Sequence, residues 1–175
     1  MLFKSLRIAA LSTCFALPLA HAALADSYHV ITTEAGWEVG TGTDDNGNAY
    51  CSAKEQSDDN SYGLGLYIYP EGNSPSFELH VFNDQWSVPA SADVDTKFHY
   101  SNGGDWEADG SAASDHSTVV DYTIPFSKAD DFMSDFAASD TLEISFVTGT
   151  EPDWTVDLTG TAAASSDLLD CAKSL

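Results

Sequence analysis

The sequence predicts a mainly β domain: an antiparallel β-sandwich or half-barrel of about eight strands, with a short helix before the last hairpin and a C-terminal helix. Three observations carry this. From Trp37 onward, apolar and polar residues alternate over short runs, the period of a strand with one buried face. Asn-Gly, Asp-Gly and Pro-Glu-Gly groups punctuate those runs as turns do. Two windows, 128–138 and 161–173, carry helical spacing instead.

The elements follow in order. Residues 26–35 do not alternate and read as a loosely held N-terminal segment. Trp37–Thr43 and Ala49–Ala53 are strands around Asp44-Asp45-Asn46-Gly47-Asn48, where Asn-Gly signals a hairpin because both residues accept φ > 0. A polar loop spans 55–61. Leu64, Leu66 and Ile68 alternate in the next strand, and Phe77, Leu79 and Val81 in its hairpin partner across Pro70-Glu71-Gly72-Asn73. Val94, Thr96, Phe98 and Tyr100 mark a strand closed by Asn102-Gly103-Gly104, and Trp106 and Ala108 a short one that Asp109-Gly110 turns into a loop. Val119–Ile124 is the last strand before Pro125. Beyond it, Ser127 and Asp130 have capping-box spacing, and Phe132 and Phe136 share one helical face over 128–138. Leu142, Ile144 and Phe146, then Trp154, Val156 and Leu158, alternate around a Gly149/Pro152 turn. Gly160 ends that strand, and Ala-rich 161–173 with Leu168 and Leu169 suits a helix.

The N-terminus has its own pattern. Lys4 and Arg7 precede an apolar run, Ile8–Leu19, followed by the small-x-small patterns Ala20-His21-Ala22 and Ala23-Leu24-Ala25. That is the layout of a secretory signal peptide over 1–25, leaving a single β-rich domain over 26–175 in the periplasm or outside the cell. The run is shorter than the ~20 apolar residues of a membrane helix, and no later run approaches that length, so no membrane insertion is expected. Leu11-Ser12-Thr13-Cys14 offers an alternative, acylation at Cys14, which Thr13 fits poorly. With the signal removed, Cys51 and Cys171 remain, and an even pair in an exported chain reads as one disulfide. Two free thiols are the alternative; no CxxC spacing or adjacent activating base accompanies them.

The net charge is −22, with two of the six basic residues in the signal segment. Such a surface repels phosphate backbones and anionic lipids, so no nucleic-acid partner is expected. A solvated acidic coat giving solubility accounts for it, with a salt-adapted surface, cation binding or a cationic partner as alternatives.

No G-x-S-x-G, H-E-x-x-H, Walker A or G-x-G-x-x-G motif is present, so no catalytic residue and no cofactor is assigned. His80 and His99 are each out of phase with their strand's apolar set, and pairing of their strands would bring them together as metal-ligating types. The simpler reading, two surface histidines without functional meaning, is preferred; His29 and His116 are the other histidines of the mature chain. Asp44, Asn46, Asn48 and Glu55 match four positions of a calcium loop, but Ala49 stands where the loop needs Gly and the flanks read as strands, so no metal site is assigned. Acidic pairs such as Asp58-Asp59 and Asp130-Asp131 arise readily among 28 acidic residues. The aromatics on the polar phase stand apart: Tyr67 and Tyr69 oppose Leu66 and Ile68, and Phe82 shares the phase of Glu78 and His80. Either a second layer covers them or they form a recognition patch.

The C-terminal pattern Leu142-Glu143-Ile144-Ser145-Phe146, then Trp154-Thr155-Val156-Asp157-Leu158-Thr159-Gly160, then Leu168 and Cys171, with Trp37 and the cysteine after it, resembles small exported proteins of the invasion-associated locus B family. The additional mid-chain cysteines usual in that family are absent. The resemblance implies a periplasmic or surface-associated β-sandwich-like protein without catalytic residues.

The function expected is therefore a non-enzymatic exported binding or interaction protein, with a secreted hydrolase using a carboxylate/His site, or a divalent-cation binder, as alternatives. The expected binding face carries Tyr67, Tyr69, His80, Phe82 and His99. A deep cleft there favours the enzyme and an open patch the partner.

Overall fold

Among the described residues, ten strands and two helices form: β1 (His29–Glu34), β2 (Trp37–Thr43), β3 (Ala49–Gln56), β4 (Tyr62–Tyr69), β5 (Ser76–Asn83), β6 (Asp93–Tyr100), β7 (Asp105–Ala112), β8 (Val119–Ile124), α1 (Phe126–Ala138), β9 (Thr141–Phe146), β10 (Trp154–Asp157) and α2 (Thr161–Ala172). The computed structural model describes residues 28–57, 61–70, 75–90, 92–112, 117–147 and 151–175. The proposed signal peptide, Cys14, Asp58, Asp59, residues 71–74 and His116 lie outside that set. The strands form one antiparallel sheet in the order β1-β2-β3-β4-β5-β8-β7-β6-β9-β10, open between β1 and β10.

The mainly β fold with one helix before the last hairpin and one at the C-terminus is as the alternation predicts. Four details differ. Residues His29–Glu34 are an edge strand on β2, not a loose segment. β7 continues through Asp109-Gly110 to Ala112. β5 pairs with β8, while β6 pairs with β7 and β9, so the expected His80–His99 neighbourhood does not form. The helix α1 begins at Phe126, after Pro125 as its N-cap residue and with no side-chain cap, so Ser127 and Asp130 make no capping box.

One face of every central strand feeds a common core. It includes Val39, Cys51, Leu66, Leu79, Phe98, Tyr122, Ile144 and Val156. The two parts of the sheet meet in that core, where Phe98 of β6 contacts Tyr122 of β8 at 5.2 Å between ring centroids, and at its margin, where half-exposed Tyr62 of β4 contacts Trp154 of β10 at 5.7 Å. Between those parts, β8 and β7 pair through Ser111–Asp121 and Ala112–Val120 and then separate, leaving Asp105–Gly110 without a ladder on that side among the described residues. The ring of Tyr122 packs onto Gly110 in the space a Cβ would fill, at the apex of the separation.

The helices close the core. Trp37 is fully buried and meets Phe136 of α1 edge-on at 5.2 Å. Thr161, first residue of α2, donates its hydroxyl to the carbonyls of Phe136 and Leu158, both at 2.8 Å. Gly160 enters α2 at φ +94°, where a Cβ would also lie 2.7 Å from the Glu34 carbonyl. Cys51 of β3 and Cys171 of α2 form a disulfide, with Cα atoms 6.0 Å apart. At the sheet's ends, β1 changes register between Val30 and Thr32, and β10 is four residues long.

Buried tyrosines make the fold sensitive to alkali. Burial, opposed by the hydrogen bond with Thr96 and reinforced by Asp121, pushes the Tyr122 hydroxyl up to about 12 from 10.0. The Thr96 and Tyr122 oxygens are 2.7 Å apart. Burial, then Asp135, raises Tyr100 further. An acid whose pKa is raised by folding contributes stability that is complete below its unfolded value and is lost as pH rises toward the folded value. Tyrosinate absorbance from the buried rings is therefore expected to appear together with unfolding as pH rises toward 12. A single smooth titration near the ordinary tyrosine value, with the fold intact, would contradict this.

Candidate functional site

The residues out of phase with the core gather on the other face of β3, β4, β5 and β8. Register sets the rows. Ser52, Tyr67, Glu78 and Thr123 lie side by side; the next row is Lys54, Gly65, His80 and Asp121, and beyond it come Gly63, Phe82 and Val119. Because side chains alternate with period two, each row faces away from Leu64, Leu66, Leu79 and Val81.

Tyr67 is the centre. Its ring stacks on the His80 imidazole at 4.2 Å between centroids and lies 5.4 Å from Tyr50 and 6.4 Å from Tyr69, with Tyr50 and Tyr69 5.6 Å apart. The same ring occupies the space over Gly65, where a Cβ would come within 2.7 Å of it. Glycine at 65 is thus what lets Tyr67 lie flat along the sheet. Gly63, the register partner of Phe82, and Gly65 both line a groove of about 570 Å³ along the outer face. Tyr67, Tyr69, His80 and Phe82 are half-buried there, neither in the core nor fully in water.

Acidic groups surround the aromatics. His80 Nε2 lies 3.0 Å from Glu78 and 3.6 Å from Asp121. Burial, then Glu78 and the neighbouring Tyr67 and Tyr50, holds the Tyr69 hydroxyl far above its usual range, so it remains a neutral donor. Glu55, at the groove's other margin, is raised by burial and by Asp157. Lys54 is the groove's lysine; it pairs with Glu38 at 3.4 Å and sits 3.7 Å above the Tyr28 ring.

The β2–β3 hairpin tip forms one end. Asp44 accepts hydrogen bonds from the backbone of Asn46 and Asn48 and from the Asn48 amide at 2.7–2.9 Å. Slight burial works against those bonds, but they win and hold the Asp44 carboxyl below its usual range. The calcium-like letters are thus occupied in closing a turn. Among the described residues, no three His, Cys, Asp or Glu side chains converge as metal ligands.

Four of the five sequence-selected residues, Tyr67, Tyr69, His80 and Phe82, share this groove. His99 does not. It lies on β6, exposed and bonded through Nδ1 to Asp105, which raises its pKa through that hydrogen bond and the charge behind it. Sequence reasoning missed Tyr50, Lys54 and Asp121. Their signal was the phase of β3 and β8 relative to Cys51, Ala53, Val120 and Tyr122.

No family model matches the chain, and no curated protein matches it in sequence. Among solved structures, it is similar to the crystal structure of invasion associated protein B from Bartonella henselae, with a TM-score of 0.56 and 16% identity over 82% of this chain and 97% of that one. The chain thus shares its fold with a protein of the kind that its Leu142–Phe146 and Trp154–Gly160 patterns resemble.

Proposed function

We propose that the protein is an exported, non-enzymatic interaction module that uses the tyrosine groove to hold a basic protein segment carrying an apolar side chain. The observation that carries this reading is the cluster of Tyr50, Tyr67, Tyr69 and Phe82 on a face that the core does not use. Half-buried aromatics supply contact area at low entropic cost, and a seated aromatic anchor contributes about 2 kcal/mol or more, against ~0–1 kcal/mol for an exposed charge pair. The carboxylates of Asp44, Asp45, Glu78 and Asp121 favour a cationic partner and set its encounter rate. The disulfide and the likeness to an invasion associated protein support periplasmic or secreted location, with the mature chain beginning near Asp26.

The hydrolase alternative would draw on His80 with Glu78 and Asp121. There the imidazole is covered by the Tyr67 ring, and Ser52, one of the hydroxyls in the adjoining row, donates to Tyr28 at 3.4 Å. The groove is an open depression, the form that a partner surface takes.

In cross-linked captures from the producing cell's envelope, Tyr67→Ala and Phe82→Ala are expected to weaken partner recovery about 30-fold, the equivalent of one lost anchor. His99→Ala, outside the groove, leaves recovery intact. Melting temperatures of both groove variants fall by a few degrees at most, because neither ring belongs to the core cluster. Recovery unchanged by both groove substitutions, or a collapse of stability in both, would sink the proposal.

A further inference from the structure

We propose that the cleft between β7 and β8, under α1, binds an organic cation: an ammonium or guanidinium group carried on an apolar body. The cleft is separate from the tyrosine groove and exists because the two strands part beyond Ser111–Asp121. Its apex is the Gly110–Tyr122 contact and its volume about 590 Å³, within the ~300–1,000 Å³ typical of small-molecule sites. Core residues Leu79, Phe98 and Tyr122, themselves buried, underlie the cleft, and half-buried Trp106 and Ala108 with exposed Pro125 give it an accessible apolar wall.

The mouth supplies the charge. Asp135 of α1 accepts hydrogen bonds from Trp106 Nε1 and Asn102 Nδ2, both at 3.1 Å. Gly104 leaves it room, since a Cβ there would come within 2.6 Å of a carboxylate oxygen. Two neutral donors and a glycine fix this carboxylate in place without neutralising it. Asp131 lies one helical turn earlier at the same mouth, and like charges at i and i+4 repel. On the β7 side, Asp105 and Glu107 already have His99 and Lys97 as partners. Among the described lining residues of α1, one cation, Lys128, stands against the two aspartates. A ligand with an apolar body would lie against Trp106, Ala108 and Pro125, and its cationic head would relieve the Asp131–Asp135 repulsion. An anion would meet the carboxylates, and a neutral apolar molecule would leave them unrelieved.

The test uses the full mature domain, isotope-labelled, titrated with phenethylammonium, with phenethyl alcohol and hydrocinnamate as neutral and anionic counterparts. The indole N–H resonance of Trp106 is expected to move with the ammonium while those of Trp37, Trp86 and Trp154 stay in place. The ammonium binds about fivefold or more tightly than the alcohol, the scale of an exposed charge pair, and the preference fades near 1 M salt. Asp131→Asn with Asp135→Asn, which keeps an amide oxygen to accept from Trp106, removes the preference; Tyr67→Ala leaves it. Equal affinity for alcohol and ammonium, a preference that survives the double variant, or no movement at Trp106 would each overturn the proposal.

Discussion

Breaking the Cys51–Cys171 bond is expected to cost the domain about 2–5 kcal/mol, seen as a lower urea midpoint in Cys51→Ser/Cys171→Ser than in the oxidised protein. The bond joins residues 120 apart, so it removes a large share of the unfolded chain's freedom. Its loss is concentrated in α2. That helix buries Thr161, Ala164, Ser165, Leu168 and Cys171, a narrow stripe, and has no side-chain cap at its N-terminus. Amide exchange in the reduced protein is therefore expected to rise first over 161–172, ahead of the β4–β5 and β5–β8 ladders. An unchanged midpoint, or exchange rising uniformly across the sheet, would contradict this.

Trp37→Ala should cost about 3–5 kcal/mol, a large part of the ~5–15 kcal/mol that holds a domain of this size. Trp37 has no exposed surface and meets Phe136 edge-on; Phe136 stacks on Phe132, which in turn touches Tyr100 and Trp106. An alanine at 37 thus removes the end of an aromatic chain running from β2 through α1 to β6 and β7. Replacement of Phe136 in the same background is expected to be less than additive, by about 1 kcal/mol, because the two rings share one contact. A cost under ~1 kcal/mol for Trp37→Ala in urea denaturation would mean that the neighbouring chain collapses into the space.

The fold class was legible wherever one face of a strand is buried and the other is not. Leu64-Gly65-Leu66-Tyr67-Ile68 states its orientation outright, and from it the outward Tyr67 and Tyr69 follow. β1 was not legible because it is an exposed edge: Val30 and Ile31 are adjacent, 41% and 52% exposed, and answer to no alternation. Gly110 read as a turn residue, whereas its glycine serves the approach of the Tyr122 ring, a contact between strands that no local window contains. The expected nearness of His80 and His99 failed for a similar reason. Consecutive strands were taken as neighbours, but the chain leaves β5 through Trp86 and Val88 toward the other part of the sheet, and β8 returns to take the vacant place. The groove was visible as a phase; the β7–β8 cleft arises from a pairing that stops, which sequence does not announce.

An open sheet offers two rows of unpaired backbone groups to any passing strand, and here both ends are poor templates for growth. The register break between Val30 and Thr32 interrupts β1, so a second chain cannot lay down an unbroken ladder beside its two exposed aliphatic residues. The four residues of β10 are too few to hold an added strand. With a net charge of −22, like copies also repel before their edges meet. An uncapped sheet is thereby kept from becoming the seed of a fibril.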